Sequence, residues 1–263
     1  MELNNKKMII TGAASGVGLA LVKESLSLGA TVIGVDISEE ALNNLKAEIN
    51  NPKFDTYRLD VSDRRGIREF RNWYQEKYQT LDILVNNAGI IQPFKKVEEL
   101  EDDTIDRVMK VNFFGPYDIV QDFLGLMKKE SESYIVNVSS MGGFFPFPYQ
   151  TVYGASKAAL KIFTEGLYAE LSDTNIKVMI VLPGAMATNI SVNSGVQVSS
   201  SASTSSYKML SAEAAAHEIV KGINKNKFKI FVGQDSKFMR ILYKLNSKMA
   251  INFINKKMKD INK

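Results

Sequence analysis

The chain has 263 residues, of which 45% are apolar and 24% are charged, so it can bury a core and is not intrinsically disordered. It holds no cysteine, which excludes disulfide frameworks, thiolate metal sites and cysteine nucleophiles. Residues 236–263 hold eight basic residues and one acidic residue, whereas acidic residues outnumber basic ones in the rest of the chain. The net charge of +4 therefore does not indicate a nucleic-acid-binding body.

Short runs rich in β-branched residues predict a parallel sheet, because near-continuous apolar runs suit strands that are covered on both faces. These runs are 8–11, 31–35, 81–85, 134–138 and 177–182, with a last strand at 227–232. Segments long enough for crossover helices lie at 16–28, 39–49, 63–78, 103–130, 150–172 and 211–223. Ser38 and Gly29 are expected to cap two of these helices. The alternation predicts an α/β fold, a doubly wound parallel sheet flanked by helices in a single domain.

A glycine-rich turn connects the first predicted strand to the first helix, and it runs Thr11-Gly12-Ala13-Ala14-Ser15-Gly16-Val17-Gly18. Glycine permits a tight turn and a close approach of the backbone to a pyrophosphate, whose charge the helix N-terminus attracts. A merely tight turn is the alternative. The order of strand, glycines and helix favours phosphate binding by the residues of this turn, namely Gly12, Ser15, Gly16, Val17 and Gly18.

Asp36 closes the second predicted strand, eighteen residues after Gly18. A carboxylate at this point can accept hydrogen bonds from both ribose hydroxyls of an adenosine, and it repels a 2′-phosphate. Asp36 therefore predicts NAD as the cofactor and makes NADP the less favoured one, although a strand-end aspartate can also be only a turn former. Asp60-Val61 is a weaker signal, since that carboxylate can reach an adenine amino group or cap the next helix.

Tyr153 and Lys157 are four residues apart in a segment with helical character, which puts both side chains on one helix face. A free tyrosine has a pKa near 10, and a neighbouring ammonium stabilises its phenolate, so such a pair can supply a general base. By itself the pair is more often a packed tyrosine beside a solvated lysine. Ser140 favours the catalytic interpretation, because it follows a buried strand and its hydroxyl can donate to a carbonyl oxygen.

These motifs together resemble the short-chain dehydrogenase/reductase superfamily in its compact single-domain form. The matching motifs, in order from residue 6 to about 190, are Thr11–Gly18, Asp60, Asn86–Gly89, Asn112, Ser140, Tyr153 with Lys157, Pro183-Gly184 and Thr188. The resemblance implies a Rossmann-like catalytic domain over 1–235 that binds NAD(P). It also implies hydride transfer between a nicotinamide cofactor and a secondary alcohol or ketone.

The resemblance assigns a role to each of four catalytic residues. Tyr153 is the general acid/base, Lys157 lowers its pKa and bonds the nicotinamide ribose, Ser140 orients the substrate oxygen, and Asn112 anchors a water in a proton relay. The remaining matches imply contacts with the cofactor, with Thr188 on the carboxamide; they are Asn87, Ala88, Gly89, Pro183, Gly184 and Thr188. A non-catalytic dinucleotide-binding regulatory or scaffold protein is the alternative, and the four intact catalytic residues argue against it.

The segment 141–150 is rich in aromatic residues and predicts an apolar, adaptable wall for a lipophilic alcohol or ketone, although it could simply pack against the neighbouring helix. The expected substrate contacts are Ser140, Met141, Phe147, Tyr149, Tyr153 and Met186. Half of the sixteen residues from 191 to 206 are serine. The loop 189–210 is thus either a surface loop of no particular role or a lid over the substrate.

In the basic extension 236–263, apolar residues recur at helical spacing between lysines, which predicts one amphipathic helix over 236–259, about 36 Å long. A helix folded back on the domain or on a partner subunit is favoured, and weak contact with an anionic membrane surface is the second interpretation. The family usually has a short terminus packed at a subunit interface. The extension leaves open whether a homodimer or a homotetramer forms, and no nucleic acid is expected.

His217 is the only histidine and has no partners at metal-ligand spacing, so no metal site is expected and a structural role is favoured. The first residues are too polar for a secretory signal peptide, and no run of about 18 apolar residues predicts a transmembrane helix. A cytoplasmic protein is therefore expected, which agrees with the lack of cysteine.

Overall fold

The computed structural model describes residues 1–186, 190–196 and 209–261. The strands are β1 (Lys7–Thr11), β2 (Thr31–Asp36), β3 (Phe54–Arg58), β4 (Ile83–Asn86), β5 (Ser133–Val138), β6 (Ile176–Pro183) and β7 (Lys229–Val232). The helices are α1 (Gly16–Ser27), α2 (Glu39–Ile49), α3 (Arg64–Tyr78), α4 (Asp102–Met109), α5 (Gly115–Met127), α6 (Thr151–Glu170), α7 (Ile190–Asn193), α8 (Ala212–Asn224), α9 (Gln234–Leu245) and α10 (Ser247–Ile261).

The strands form one sheet in the order β3-β2-β1-β4-β5-β6-β7, and every neighbouring pair is parallel. The chain first builds outward from β1 to β3 and then returns to place β4 on the other side of β1. The loops that leave β1 and β4 therefore diverge and open a crevice at the carboxyl edge of the sheet. The predicted doubly wound sheet is confirmed.

Alternate residues of the central strands enter two cores, one on each face of the sheet. Met8 and Ile10 join a core with α1, α2 and α8, whereas Ile9 joins a core with α3, α5 and α6. Because both faces are covered, the central strands are apolar at almost every position, which explains why their sequences show no alternation. β3 has a mixed polar sequence and was not among the predicted runs.

Two predicted caps are confirmed, and one predicted helix is interrupted. The Ser38 hydroxyl accepts a hydrogen bond from the Ala41 N–H at 3.2 Å, and Gly29 has φ +84 after the end of α1. The predicted helix 103–130 contains a π-helical turn over Lys110–Phe114, in which the Gly115 N–H donates to the Lys110 carbonyl. Pro116 has no N–H, so the carbonyl of Asn112 cannot receive the usual helical bond from four residues on.

Ion pairs cover the exposed edge of the sheet at β3. Lys46 of α2 and Lys77 of α3 both bond the Asp55 carboxylate, Lys46 at 2.8 Å. Burial raises the pKa of this carboxyl, but the lysine hydrogen bonds outweigh burial and lower the pKa to about 2. The two helices thus reach the edge strand from opposite faces of the sheet.

The extension forms two helices, α9 and α10, so the prediction of one continuous helix is wrong. Asn246 is extended, with φ −156, and its side-chain oxygen accepts from the Met249 N–H at 2.9 Å. An asparagine at this position ends one helix and caps the next, because its side chain replaces the missing backbone partner. In the described ranges, no helix is long and apolar enough to cross a membrane.

Candidate active site

A cavity of about 680 Å³ lies at the carboxyl edge of the sheet, beside the loops that leave its central strands. Most residues expected from the sequence to bind cofactor or substrate line it. They are Gly12, Ser15, Gly16, Val17, Asp36, Asp60, Val61, Asn87, Ala88, Gly89, Ser140, Met141, Phe147, Tyr153, Lys157, Pro183, Gly184 and Met186. Thr188 lies outside the described residues. The cavity therefore joins motifs that are spread over most of the chain.

The glycine-rich turn is held tightly against the loop after β4. A Cβ atom on Gly18 would lie 1.9 Å from the Gly12 carbonyl oxygen, so only glycine fits there. Gly18 itself is not among the cavity-lining residues; it allows the turn rather than touching its contents. The Asn87 amide donates to the Thr11 carbonyl at 3.0 Å, and the Thr11 hydroxyl accepts from the N–H groups of Asn87 and Ala88, both at 3.0 Å. This role of Thr11 was missed from the sequence.

The end of the cavity near β2 carries two carboxylates. Asp36 accepts from the Ala14 N–H at 3.0 Å and from the Ser38 N–H at 3.2 Å, so backbone bonds fix its orientation. Asp60 accepts from the N–H and the hydroxyl of Ser62, at 2.8 and 2.7 Å. Asp60 therefore shapes the turn before α3 and faces the cavity at the same time.

At the other end of the cavity, Ser140 and Tyr153 meet at Gly142. A Cβ atom on Gly142 would lie 3.3 Å from the edge of the Tyr153 ring and 3.5 Å from the Ser140 hydroxyl oxygen. That oxygen accepts from the Gly142 N–H at 3.0 Å. Burial raises the pKa of Tyr153, and the hydrogen bond with Ser140 opposes the rise. The neighbouring Ser139 instead donates to the Lys157 carbonyl at 2.8 Å.

Lys157 is buried one helical turn after Tyr153. Its ammonium donates to the Val138 carbonyl at 3.0 Å, and burial lowers its pKa to about 8. The sequence led us to expect that this ammonium lowers the pKa of Tyr153. Burial of the phenolate raises the pKa of Tyr153 overall, and the hydrogen bond with Ser140 opposes that rise, so the effect of the Lys157 ammonium stays a prediction.

Asn112 lies behind the cavity and does not line it. Its side chain accepts from the Ile90 N–H at 2.9 Å and donates to the Ile90 carbonyl at 2.9 Å and to the Ser156 hydroxyl at 3.0 Å. These bonds tie the π-helical turn to the loop after β4 and to α6. All three of these side-chain hydrogen bonds are to protein groups, so the expected water-anchoring role of Asn112 stays a prediction.

Gln92 is a fully buried residue that sequence reasoning missed. Its side-chain oxygen accepts from the N–H groups of Val152 and Tyr153, at 2.8 and 3.0 Å, and its amide donates to the Tyr149 carbonyl at 3.0 Å. It thereby satisfies free N–H groups in the first turn of α6, which carries the candidate acid/base. The one sequence feature that could have indicated this role is a polar glutamine between the apolar neighbours Ile91 and Pro93.

The expected substrate wall is only partly present. Met141, Phe147 and Met186 line the cavity, but Tyr149 does not, and Gln150 takes its place. Tyr149 has φ +65, and the turn that this creates directs its carbonyl to Gln92. Contrary to expectation, the first two phenylalanines of the segment do not line the cavity, and Phe145 is buried 5.6 Å from the Tyr243 ring of α9.

The C-terminal extension also reaches the cavity. Met258 of α10 lines it, and the inner sides of α9 and α10 pack on the segment 141–147 through Met239 and Ala250. Of the loop expected to form a lid, Ile190 and Ser191 line the cavity, whereas residues 197–208 lie outside the described residues. Contacts between segments so distant in sequence cannot be predicted from the residues around either segment.

The comparison with protein families agrees with this geometry. Residues 6–198 match the family model of the short chain dehydrogenases. The chain belongs to the short-chain dehydrogenase/reductase superfamily. It is therefore an NAD(P)-dependent oxidoreductase of that superfamily.

Named relatives of this short-chain dehydrogenase are reductases and dehydrogenases. It is 42% identical over 190 residues to the 3-oxoacyl-(acyl-carrier-protein) reductase FabG of Thermotoga maritima, covering 72% of this chain and 77% of that protein. It is 33% identical over 196 residues to the 3beta-hydroxysteroid dehydrogenase 2 of Eggerthella lenta, covering 72% and 74%.

Solved structures share the fold over most of the chain. A short-chain dehydrogenase/reductase from Burkholderia phymatum in complex with NAD has a TM-score of 0.81 and 25% identity, over 88% of this chain and 90% of that one. A short-chain dehydrogenase from Burkholderia cenocepacia in complex with NADP has a TM-score of 0.81 and 22% identity, over 97% and 99%. The latter likeness concerns the fold alone.

The residues of this short-chain dehydrogenase fit a nicotinamide dinucleotide. The cavity runs from the turn before α1, which a larger side chain at Gly18 would distort by displacing the Gly12 carbonyl, to Lys157 and Tyr153. The first residues of α1 and the Asp36 carboxylate both line this cavity, and a helix N-terminus and a strand-end carboxylate are groups that can bind a pyrophosphate and a ribose.

Proposed function

We propose that this short-chain dehydrogenase interconverts a secondary alcohol and a ketone, with Tyr153 as general acid/base and NAD as the preferred cofactor. The observation that carries the proposal is the meeting of Ser140, Tyr153 and Lys157 at one end of a cavity whose other end holds Asp36. An acid/base, an oxyanion donor and a cation so placed can serve an oxygen that gains or loses a proton.

The preference for NAD rests on Asp36. Its carboxylate lines the cavity and is fixed by two backbone N–H groups, so it would accept hydrogen bonds from the ribose hydroxyls and repel a 2′-phosphate. Gly12, Gly16 and the N-terminus of α1 would hold the pyrophosphate, and Asp60 would approach the adenine. At the other end, Lys157, Asn87 and Gly184 would hold the nicotinamide riboside, together with Thr188.

When bound, the nicotinamide accepts a hydride from the alcohol carbon or donates one to the carbonyl carbon. Ser140 donates its hydroxyl proton in a hydrogen bond to the substrate oxygen and so orients it. Tyr153 takes the hydroxyl proton of the alcohol in oxidation and returns it to the oxygen in reduction. With a pKa of about 8, Lys157 is mostly protonated at neutral pH, and its charge favours the phenolate of Tyr153 over the phenol.

A lipophilic substrate suits the apolar wall of this cavity. Met141, Phe147 and Met186 contribute apolar, adaptable surface, and Met258 adds to it. Relatives that are named as a 3-oxoacyl reductase and a hydroxysteroid dehydrogenase support an apolar ketone or alcohol rather than a charged sugar. Residues 189–210 would form a lid over this end, with Ile190 and Ser191 at its start.

The proposal extends to organisation and compartment. We place the catalytic domain at 1–235, with 236–263 as an extension that completes one wall of its cavity. A homodimer or homotetramer would form through the exposed apolar side chains of Phe114, Ile162 and Tyr168. A reducing compartment such as the cytoplasm suits a chain without cysteine.

The test is turnover of hydrophobic secondary alcohols and ketones by the purified chain, with NAD and NADP measured in parallel. Tyr153→Phe should bind the cofactor normally but lose at least ~10²-fold in kcat, the usual contribution of a positioned acid/base. Asp36→Ala should narrow the preference in kcat/KM for NAD over NADP. Near-normal turnover by a folded Tyr153→Phe variant would refute the mechanism, and cofactor binding without any turnover would favour a regulatory protein.

A further inference from the structure

The outer surface of α9 and α10 carries apolar side chains that the domain leaves exposed. The exposed fractions are 61% for Ile241, 77% for Leu245 and 50% for Met249, and Phe238 and Phe253 are also exposed. Phe238, Ile241 and Leu245 follow the spacing of one helix face, as do Met249 and Phe253. We call these five side chains, with the basic residues between them, the tail surface.

The tail surface is not the side of the extension that packs on the domain. The inner side chains Met239 and Ala250 are buried against Met141 and Phe145, and Leu242 and Ile254 pack against the same cluster. The Ser236 hydroxyl donates to the Leu182 carbonyl at 2.7 Å, which fixes the start of α9 to the end of β6. Because the inner sides are already held, the apolar residues of the tail surface are left for a different partner.

The positive charge of the tail surface indicates that this partner is anionic. Residues 236–258 include six basic residues and no aspartate or glutamate. Lys237, Arg240, Lys244, Lys248 and Lys256 are all exposed among the apolar side chains. A second copy of the chain would bring six cations against six cations, which disfavours self-association. Apolar side chains set among exposed cations instead match an anionic lipid surface, where rings and aliphatic chains enter the interface while ammonium groups contact phosphates.

We propose that the tail surface docks on an anionic lipid bilayer and holds one wall of the cavity against the source of its substrate. Met258 links the two roles, since it lines the cavity from the helix that bears Met249 and Phe253. The docking stands independently of any reaction, whereas the delivery of an apolar substrate from the lipid rests on the proposed oxidoreductase function.

Docking is tested by sedimentation of the full chain with phosphatidylcholine vesicles, with or without phosphatidylglycerol, at low and high salt. We expect binding only to the anionic vesicles and release by salt. Because each basic residue near such a surface strengthens binding about fivefold, Lys244→Glu/Lys248→Glu should weaken it by more than tenfold. The control Lys128→Glu/Lys129→Glu changes the net charge equally at exposed lysines after α5 and should bind almost as wild type does.

The apolar contribution has its own matched pair. Ile241→Ser/Leu245→Ser should lose at least tenfold in binding, whereas Leu28→Ser/Val97→Ser removes two exposed apolar side chains elsewhere and should leave it unchanged. Failure of wild type to bind anionic vesicles, or equal losses in test and control variants, would overturn the docking. A dimer that the test variants dissociate, without a change in vesicle binding, would assign the tail surface to a second copy.

Delivery is tested by turnover of a ketone dissolved in anionic vesicles against a short water-soluble ketone. Ile241→Ser/Leu245→Ser should slow the first at least fivefold and leave the second unchanged. If the variant changes the rates on the two ketones by the same factor, the delivery of substrate from the lipid is overturned. If neither ketone nor the matching alcohols turn over while vesicle binding holds, the proposed function fails and the docking stands.

Discussion

At the scale of single residues, Gly18 shows how closely the backbone of the glycine-rich turn is packed. We expect Gly18→Ala to weaken NAD binding at least tenfold, because the new methyl group would displace the Gly12 carbonyl from which it would lie 1.9 Å. Gly125→Ala is the matched control: apart from the neighbouring backbone of α5, no atom lies within 4 Å of the Cβ that it would add, and alanine there should stabilise the helix by about 0.5–1 kcal/mol. Calorimetric NAD titration and thermal melts measure both effects, and equal NAD affinity in the two variants would contradict this view of the turn.

The buried ammonium of Lys157 predicts a pH dependence. Burial lowers its pKa to about 8, so the charge is present below pH 8 and is lost as the pH rises further. Since that charge supports the proton exchange of Tyr153, kcat/KM for ketone reduction should fall between pH 8 and 10. Rates at saturating reduced cofactor check this, with circular dichroism at each pH as a control for folding. If kcat/KM stays constant up to pH 10, loss of the Lys157 charge does not limit ketone reduction.

Residues whose role is local could be predicted from the sequence, whereas residues that act across the fold could not. The turn before α1 and the Ser38 cap are set by neighbours within a few positions, and Tyr153 and Lys157 lie on one helix turn. Gln92 and Met258 matter because distant segments meet them. The raised pKa of Tyr153 depends on the burial of its ring, which no residue spacing reveals.

At the scale of elements, Gln92 connects the loop after β4 to the start of α6. We expect Gln92→Met, which keeps the size of the side chain but removes its acceptor, to cost about 1–3 kcal/mol of stability, because the N–H groups of Val152 and Tyr153 lose their partner. Displacement of Tyr153 should lower kcat more than it raises KM for the cofactor. Chemical denaturation and steady-state kinetics test this, with Gln121→Met on α5 as the control; unchanged kcat would confine Gln92 to a purely structural role.

The two strongest deviations from the predicted elements have physical causes. The break at Asn246 replaces one helix by two, because asparagine caps a helix better than it continues one. The π-helical turn before α5 accompanies Pro116, which has no N–H to give. The helical spacing of apolar residues continues across both Asn246 and Pro116. The pattern therefore located the helical segments but not their interruptions.

At the scale of the whole molecule, the exposed apolar side chains of α6 predict a subunit interface. Ile162 is 63% exposed on this helix. We expect Ile162→Glu to shift the oligomer to the monomer, because two carboxylates would be buried against apolar surface. Sedimentation velocity at several concentrations measures the change, and Ile241→Glu on the tail surface is the control. An unaltered assembly in Ile162→Glu, or dissociation of the Ile241→Glu variant, would move the interface elsewhere.

The two lysines that bond Asp55 on the edge strand β3 affect how two molecules of this protein can associate. An open parallel sheet ends in strands with free backbone groups, and an intruding strand could extend it indefinitely. Here the intruder would have to displace lysines that clamp Asp55 from both sides. Strand addition at the β3 edge is thereby discouraged, whereas contacts between helical surfaces can close into a finite assembly instead of a fibre.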